Sequence, residues 1–351
     1  MRGATMGVNR QWRLARHPEP SEDIGFEHFE LTESPMPTPD AGEFVVQTIA
    51  LGTSPAQRSY ISKSLSMHDK IAIGDVMRGR GVGVVAESRN QNYQVGEIVI
   101  SSTGWQNFSI QSPAQQNPNV LSIQKIVTPV LPLTMTLGIL GSAGATAYFG
   151  LFDVGCIKAG DTVVVSAAAG GIGSVAGQLA RIAGCRVVGI AGGPEKCQWV
   201  TEVLGYDYAI DYKNESVGER LDALCPNGVD VFFDNVGGEI LDDVLARIAL
   251  NARVIICGFI STDYQDGLNR GPRNYKNLVR KRARMEGFFI FDYRHRFQEA
   301  EDRLRRWYDE GLLINCEDVD DGLEHMPGTL GSLFTGGNKG IKLCRVSPDP
   351  G

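Results

Sequence analysis

Thr162-Val-Val-Val-Ser-Ala-Ala-Ala-Gly-Gly-Ile-Gly-Ser-Val-Ala-Gly177 decides the fold of this chain. Three consecutive valines read as a buried strand. The turn Ala168-Ala-Gly-Gly-Ile-Gly173 comes next, and then the start of a helix. This is the G-x-G-x-x-G pattern with Ala168 in place of the first glycine. Gly170 lets backbone amides approach a pyrophosphate, and Gly173 lets the helix pack closely on the strand. The helix start turns its unpaired N–H groups and dipole to the phosphates. Gly170, Gly171, Ile172 and Gly173 are therefore candidate residues of a dinucleotide site.

The second strand and the turn after it narrow the cofactor. No Asp or Glu occurs from Thr162 to Pro194, so this strand, Cys185–Ala191, ends without an acid and runs into Gly192-Gly-Pro-Glu-Lys196. An NAD site usually places a carboxylate there for the adenosine ribose. An NADP site needs small residues and a cation for the 2′-phosphate, and Gly193 and Lys196 supply them. Tyr212, just past the third strand, is placed to lie against the same phosphate or the adenine.

The 351 residues allow two domains, and 42% hydrophobic with 21% charged residues is a globular composition. A formal charge of −7 argues against a nucleic-acid partner. Seven scattered cysteines suit reduced thiols in the cytosol. The N-terminus lacks the apolar core of a signal peptide. The uncharged stretch from Ile126 to Phe152 contains two prolines and four glycines and reads as a buried strand and helix rather than a membrane span.

Residues 1 to about 130 read as short strands broken by turns, with Phe44–Ala50, Gly81–Ala86 and Glu97–Ser101 the clearest. Pro35, Pro37 and Pro39 argue against regular structure just before the first of them. From 131 to 310 strands alternate with helices: Thr162–Ser166, Arg186–Ile190, Tyr208–Ile210, Val229–Asp234, Ala252–Cys257 and Arg284–Ile290. Right-handed crossovers make these one doubly wound parallel sheet in the order 3-2-1-4-5-6. A tail, 311–351, ends in the strand Ile341–Val346.

Ligands in such sheets sit beyond the carboxyl ends of the strands. Asp234-Asn-Val-Gly-Gly238 and Cys257-Gly-Phe-Ile-Ser261 end two strands and are candidates for the nicotinamide side; simple strand-to-helix turn chemistry, which favours Asn and Gly, would also explain them. The five histidines are scattered and no four-cysteine lobe occurs, so no catalytic zinc is expected. Arg270–Arg306 holds twelve cations against five acids, which reads as a solvated face or as a basic rim for an acidic substrate.

These motifs, with Gly74-Asp-Val-Met-Arg-Gly79, Thr146-Ala-Tyr-Phe-Gly-Leu151, Met285-Glu-Gly-Phe-Phe289 and Gly337-Asn-Lys-Gly340, give the chain a family likeness from Asn9 to Val346. It resembles the zinc-independent medium-chain dehydrogenase/reductases, in the group of prostaglandin reductases, alkenal double-bond reductases and bacterial curcumin reductases. The resemblance implies a GroES-like β-barrel-type catalytic domain, a Rossmann domain binding NADP, and a C-terminal return to the catalytic domain. It implies a homodimer paired through the last sheet strand. It assigns Gly170–Gly173 to the pyrophosphate and Lys196 and Tyr212 to the 2′-phosphate. Asn235, Cys257, Gly258, Phe259, Ile260, Ser261, Phe288, Phe289, Ile290 and Asn338 would hold the rest of the cofactor.

Three departures fall on the expected substrate side. Ser54-Pro-Ala-Gln-Arg58 has Ala56 where the family often has tyrosine, Gly141-Ser-Ala-Gly144 replaces Gly-Met-Pro-Gly, and Asp263 takes the place of a tyrosine, with Tyr264 next to it. The expected activity is NADPH-dependent reduction of the C=C bond of α,β-unsaturated ketones and aldehydes, with Tyr264 as the candidate proton donor. A quinone or ketone reductase and a non-catalytic NADPH-binding protein are the alternatives.

Overall fold

The computed structural model describes residues 7–62, 70–115, 122–128, 130–261 and 271–350. The chain forms two compact units: Met1–Leu137 with Asp318–Gly337 and Lys342–Gly351, and Gly138–Glu317 with Asn338–Ile341. The division falls at Leu137 rather than at 130, and the segment beyond 311 is shared between the units.

The first unit begins with β1 (Val8–Leu14) and β2 (Phe29–Pro35), an antiparallel pair. Neither is legible as an apolar run. Their register sets Arg10 opposite Glu33 and Arg13 opposite Glu30, but Arg10 pairs with Glu324 and Arg13 donates to Thr32 Oγ1 at 3.2 Å; Trp12, Leu14 and Phe29 are buried. Pro35 ends β2 rather than preventing it. The remaining elements are β3 (Phe44–Gly52), α1 (Ala56–Ile61), β4 (Gly81–Ser88), β5 (Ile98–Ser101), β6 (Phe108–Gln111) and β7 (Gln124–Lys125). Among the described residues of the uncharged stretch from Ile126 there is no further strand: Pro132 opens a 3-10 turn over Leu133–Thr136.

The second unit carries the site. Its elements run α2 (Ser142–Phe149), β8 (Thr162–Ser166), α3 (Gly171–Ile182), β9 (Arg186–Ala191), α4 (Pro194–Glu202), β10 (Tyr208–Asp211), α5 (Val217–Leu224), β11 (Val229–Asp234), α6 (Gly238–Leu245), β12 (Ile248–Ile256), α7 (Asn277–Lys281), β13 (Arg284–Gly287) and α8 (Phe297–Asp309). The sheet order is β10-β9-β8-β11-β12-β13, and every pair is parallel. This is the 3-2-1-4-5-6 order of the Rossmann fold. Val163, Val164 and Val165 are wholly buried, as a central parallel strand covered on both faces requires. Val164, Val188, Ile210 and Phe232 meet Leu221 and Leu245 of α5 and α6 in one core cluster. The sixth strand stops at Gly287, three residues before its expected end, and the chain turns into a 3-10 segment over Ile290–Arg296.

The chain then adds β14 (Glu317–Asp321), α9 (Met326–Thr335) and β15 (Ile341–Arg345). In the first unit's sheet the order is β14-β15-β3-β4-β5-β7, with β6 also on β3. β15 lies antiparallel to β3, Leu343 opposite Gly52. Lys342 is buried there and donates to Asp318 (2.7 Å) and Asp320 (2.8 Å). Among the described residues no helix is long and apolar enough to cross a membrane.

Candidate dinucleotide-binding site

The turn between β8 and α3 is built for a close approach. Gly170 caps α3 in an extended conformation and no side chain caps the helix, so its first-turn amides face outward. Ala167, at φ +48°, turns the chain in the left-handed region, and its carbonyl accepts from the Gly170 N–H at 2.8 Å. A Cβ at Gly173 would lie 2.2 Å from the Ala167 oxygen and 2.9 Å from the Ala168 Cα. Only glycine therefore lets the helix sit this close to the strand end. At Gly171 an added Cβ would meet Ile341 at 3.6 Å, an ordinary van der Waals contact, so this position tolerates a side chain. This cradle fits a pyrophosphate.

The adenosine corner lies at the end of β9. Gly193 adopts φ +94° and caps α4, whose first turn holds Lys196, partly exposed. Tyr212 folds back over Gly192: a Cβ there would be 2.9 Å from its ring and 3.0 Å from its hydroxyl. Gly193 thus opens the helix that carries Lys196, and Tyr212 covers the glycine before it. What sequence reasoning missed is Asp211. β9 does end without an acid, but β10 ends on this buried carboxylate, which accepts from the Gly193 N–H at 2.7 Å. It also accepts from the Lys213 N–H at 3.1 Å and from Asn214 Nδ2 at 2.7 Å. Burial pushes its pKa up, but these bonds and the Lys213 charge outweigh burial and hold it below the usual carboxylate range. The signal was the polar turn Asp-Tyr-Lys-Asn at a strand end.

The ends of β8, β11 and β12 are joined by a second carboxylate, Asp234, with no exposed surface. Its Oδ1 accepts from Ser166 Oγ at 2.8 Å and from the Val236 and Gly237 N–H groups at 2.9 and 3.0 Å. Its backbone oxygen accepts from the Cys257 and Gly258 N–H groups at 2.8 and 3.1 Å. Burial raises its pKa against the pull of these donors. Asn235 donates its Nδ2 to the Ser166 carbonyl at 2.8 Å, so its amide NH2 serves the strand ends. Ser261 Oγ donates to the Val236 carbonyl at 2.6 Å and fixes the Cys257–Ser261 loop on the Asn235 turn. The Cys257 thiol is pushed up to about 12 by burial and by Asp234, and is therefore no nucleophile at neutral pH. Phe259 is 45% exposed and Ile260 comes after it on the same loop.

Phe288 lies beyond β13, where its ring edge would sit 3.0 Å from a Cβ on Gly150, and Phe289 is half-exposed against Phe291. Ile290 begins the 3-10 segment. Asn338 is buried and donates to the Gly340 carbonyl at 2.9 Å, while the Gly340 N–H donates to Ala169 at 2.8 Å. Asn338 is thereby brought to the glycine-rich turn. Beside it, Lys339 pairs with Glu195 of α4. Asp263 and Tyr264 lie outside the described residues. In the basic stretch, Arg273, Arg284, Arg296 and Arg305 each pair with an acid, which favours a solvated, neutralised face there.

Two family profiles match the chain: one described as "N-terminal domain of oxidoreductase" over residues 10–118, and one described as "Zinc-binding dehydrogenase" over 171–306. Among the described residues, the one group of three metal-ligand side chains is Glu22, Glu27 and His28 in the first unit. There both oxygens of Glu22 are taken by Arg16, at 2.6 and 3.0 Å. The NADPH-dependent curcumin reductase of Escherichia coli is 37% identical over 346 residues, covering 97% of this chain and 98% of that protein. The 2-alkenal reductase (NADP(+)-dependent) of Nicotiana tabacum is 38% identical over 309 residues, 88% of each. The crystal structure of CurA from Vibrio vulnificus in complex with NADPH superposes with a TM-score of 0.89 at 36% identity, over 97% of this chain and 100% of that one. On this fold, these motifs and this extent of identity, the chain belongs to the zinc-independent medium-chain dehydrogenase/reductases, in the group of the curcumin, alkenal and prostaglandin reductases.

Proposed function

We propose that this protein is a zinc-independent, NADPH-dependent reductase of the C=C bond of α,β-unsaturated ketones and aldehydes. The observation that carries the cofactor reading is the adenosine corner: Lys196 and Tyr212 stand around the Gly192–Gly193 turn, and β9 ends without a free carboxylate. The substrate class is supported by the activities named for the curcumin and 2-alkenal reductases. Gly170–Gly173 hold the pyrophosphate with the α3 amides, Lys196 and Tyr212 hold the 2′-phosphate, and Asn235, Cys257–Ser261, Phe288–Ile290 and Asn338 line the remainder. Bound NADPH supplies a hydride to the β-carbon of the enone. Negative charge then grows on the carbonyl oxygen, and preorganised donors are worth a few kcal/mol there. Tyr264 is the proposed donor of the proton to the α-carbon.

The test is NADPH oxidation over a panel of enals, enones and quinones with product identification. A saturated carbonyl product supports the reading; an alcohol or quinol product, or tight NADPH binding without turnover, rejects it. Lys196→Ala is expected to raise the KM for NADPH about 30-fold, about 2 kcal/mol for a charge-assisted phosphate contact. The KM for NADH should stay within about twofold, and equal effects on both coenzymes would remove Lys196 from the 2′-phosphate.

A cytoplasmic homodimer completes the reading. All seven cysteines are free thiols, which suits a reducing compartment. Among the described residues β13 is an outer edge of the parallel sheet, and all four of its residues are exposed. An open edge of this kind is a template for pairing with another strand. Alternate residues of an edge strand turn their N–H outward. One of the two variants Met285→Pro and Glu286→Pro therefore removes an outward donor and is expected to be monomeric by light scattering. Dimers of unchanged affinity in both would reject the β13 interface.

A further inference from the structure

We propose that Lys213 is a second cation of the 2′-phosphate subsite and that Asp211 sets it there; this rests on the NADPH reading above. Lys213 is exposed, but its stem is laid against the backbone. Its stem lies along Gly192, where an added Cβ would be 3.0 Å from Lys213 Cε. The Tyr212 hydroxyl is 3.0 Å from the same point, so phenol and lysine stem cover one glycine together. Lys213 is in no ion pair among the described residues, although the ionised Asp211 is two residues away.

The reason is that the Asp211 oxygens are already engaged. A single oxygen, Oδ1, accepts both the Gly193 N–H at 2.7 Å and the Lys213 N–H at 3.1 Å, and Oδ2 accepts from Asn214 at 2.7 Å. The carboxylate is 7% exposed. It therefore ties the turn that opens α4 to the turn that carries Tyr212 and Lys213. Lys196 belongs to the first turn of α4, and Lys213 follows the end of β10 by two residues. A monoester phosphate carries close to two negative charges at neutral pH. Two lysines and the α4 N-terminus match that charge, and they offset the negative charge of Asp211 nearby.

The test is calorimetric binding of adenosine 2′,5′-bisphosphate and of 5′-AMP to the full chain without coenzyme. Lys213→Met keeps the stem over Gly192 and removes the charge. It is expected to weaken the bisphosphate about tenfold, about 1.4 kcal/mol, and to leave 5′-AMP unchanged. Lys213→Arg should restore the preference, since guanidinium also binds phosphate. Asp211→Ala should lose the preference as well, whereas Asp211→Asn should keep it, because its Oδ1 still accepts from Gly193. Wild-type affinities in Lys213→Met, or equal losses for both ligands, would overturn the assignment of Lys213. Failure of Asp211→Asn to improve on Asp211→Ala would overturn the positioning role. A wild-type protein that does not prefer the bisphosphate would instead overturn the NADPH reading itself.

Discussion

Replacing Asp234 by Ala is expected to cost the second unit about 3 kcal/mol, a fall in Tm of roughly 6–12 °C at this size, and to abolish dinucleotide binding at micromolar protein. The change strands three donors in a site with no exposed surface: Ser166 Oγ and the Val236 and Gly237 N–H groups. Each orphaned donor costs about 1–3 kcal/mol. Part of this is offset, because the carboxylate removed was itself disfavoured by burial. The consequence reaches the site because the Asn235 N–H donates to the same Ser166 Oγ, at 2.8 Å. Asp234→Asn keeps Oδ1 as an acceptor and is expected to lose less than half as much. The pH effect has a definite sign. The native pKa lies above the unfolded one, so the native state holds the extra proton in the interval between them. This group's contribution to stability falls as pH rises through that interval, and Asp234→Asn removes that slope. Calorimetric unfolding decides the matter: a loss under about 1 kcal/mol would mean that the strand ends do not depend on this carboxylate.

Which parts were legible in the chain depends on where their determinants lie. β8, the turn and α3 are contiguous, and each residue's reason is local: apolar β-branched side chains, then glycines, then a helix-forming run. The strand order was legible for a different reason. It comes from the handedness of crossovers once the alternation is seen, and no single residue specifies it. β1 and β2 were illegible because β1 buries polar Asn9 and Gln11 along with Trp12 and Leu14, and only Phe29 of β2 is buried, so neither shows an apolar period. Asp211 and Asp234 were illegible as organisers because each takes a partner that only folding delivers, the Gly193 N–H for Asp211 and Ser166 Oγ for Asp234. Ser166 and Asp234 are 68 residues apart, and Gly193 and Asp211 are 18 apart. Asn235 shows the same limit from the other side. The sequence offers its amide to a ligand, while the structure commits the NH2 to Ser166 and leaves the residue holding the strand ends together.

Gly173→Ala carries the second large effect, and its cause is backbone rather than side chain. The new methyl would lie 2.2 Å from the Ala167 oxygen and 2.9 Å from the Ala168 Cα, and neither atom can rotate away. Relief requires α3 to lift from β8 or Ala167 to leave its left-handed conformation. Lifting α3 also strains Tyr206, a buried ring whose hydroxyl donates to the Gly173 carbonyl and whose atoms lie against Gly177. Overpacking of a well-filled contact costs about 1–3 kcal/mol, and the upper end applies where backbone blocks backbone. The expected result is a loss of about 3 kcal/mol in unfolding free energy, together with a weakening of NADPH by at least about tenfold, since the amides of the turn move with the helix. Gly171→Ala is the control on the same turn. Its methyl would meet nothing nearer than 3.6 Å, so the fold should keep its stability. If the two variants unfold at the same temperature, close packing at Gly173 is not what fixes the cradle.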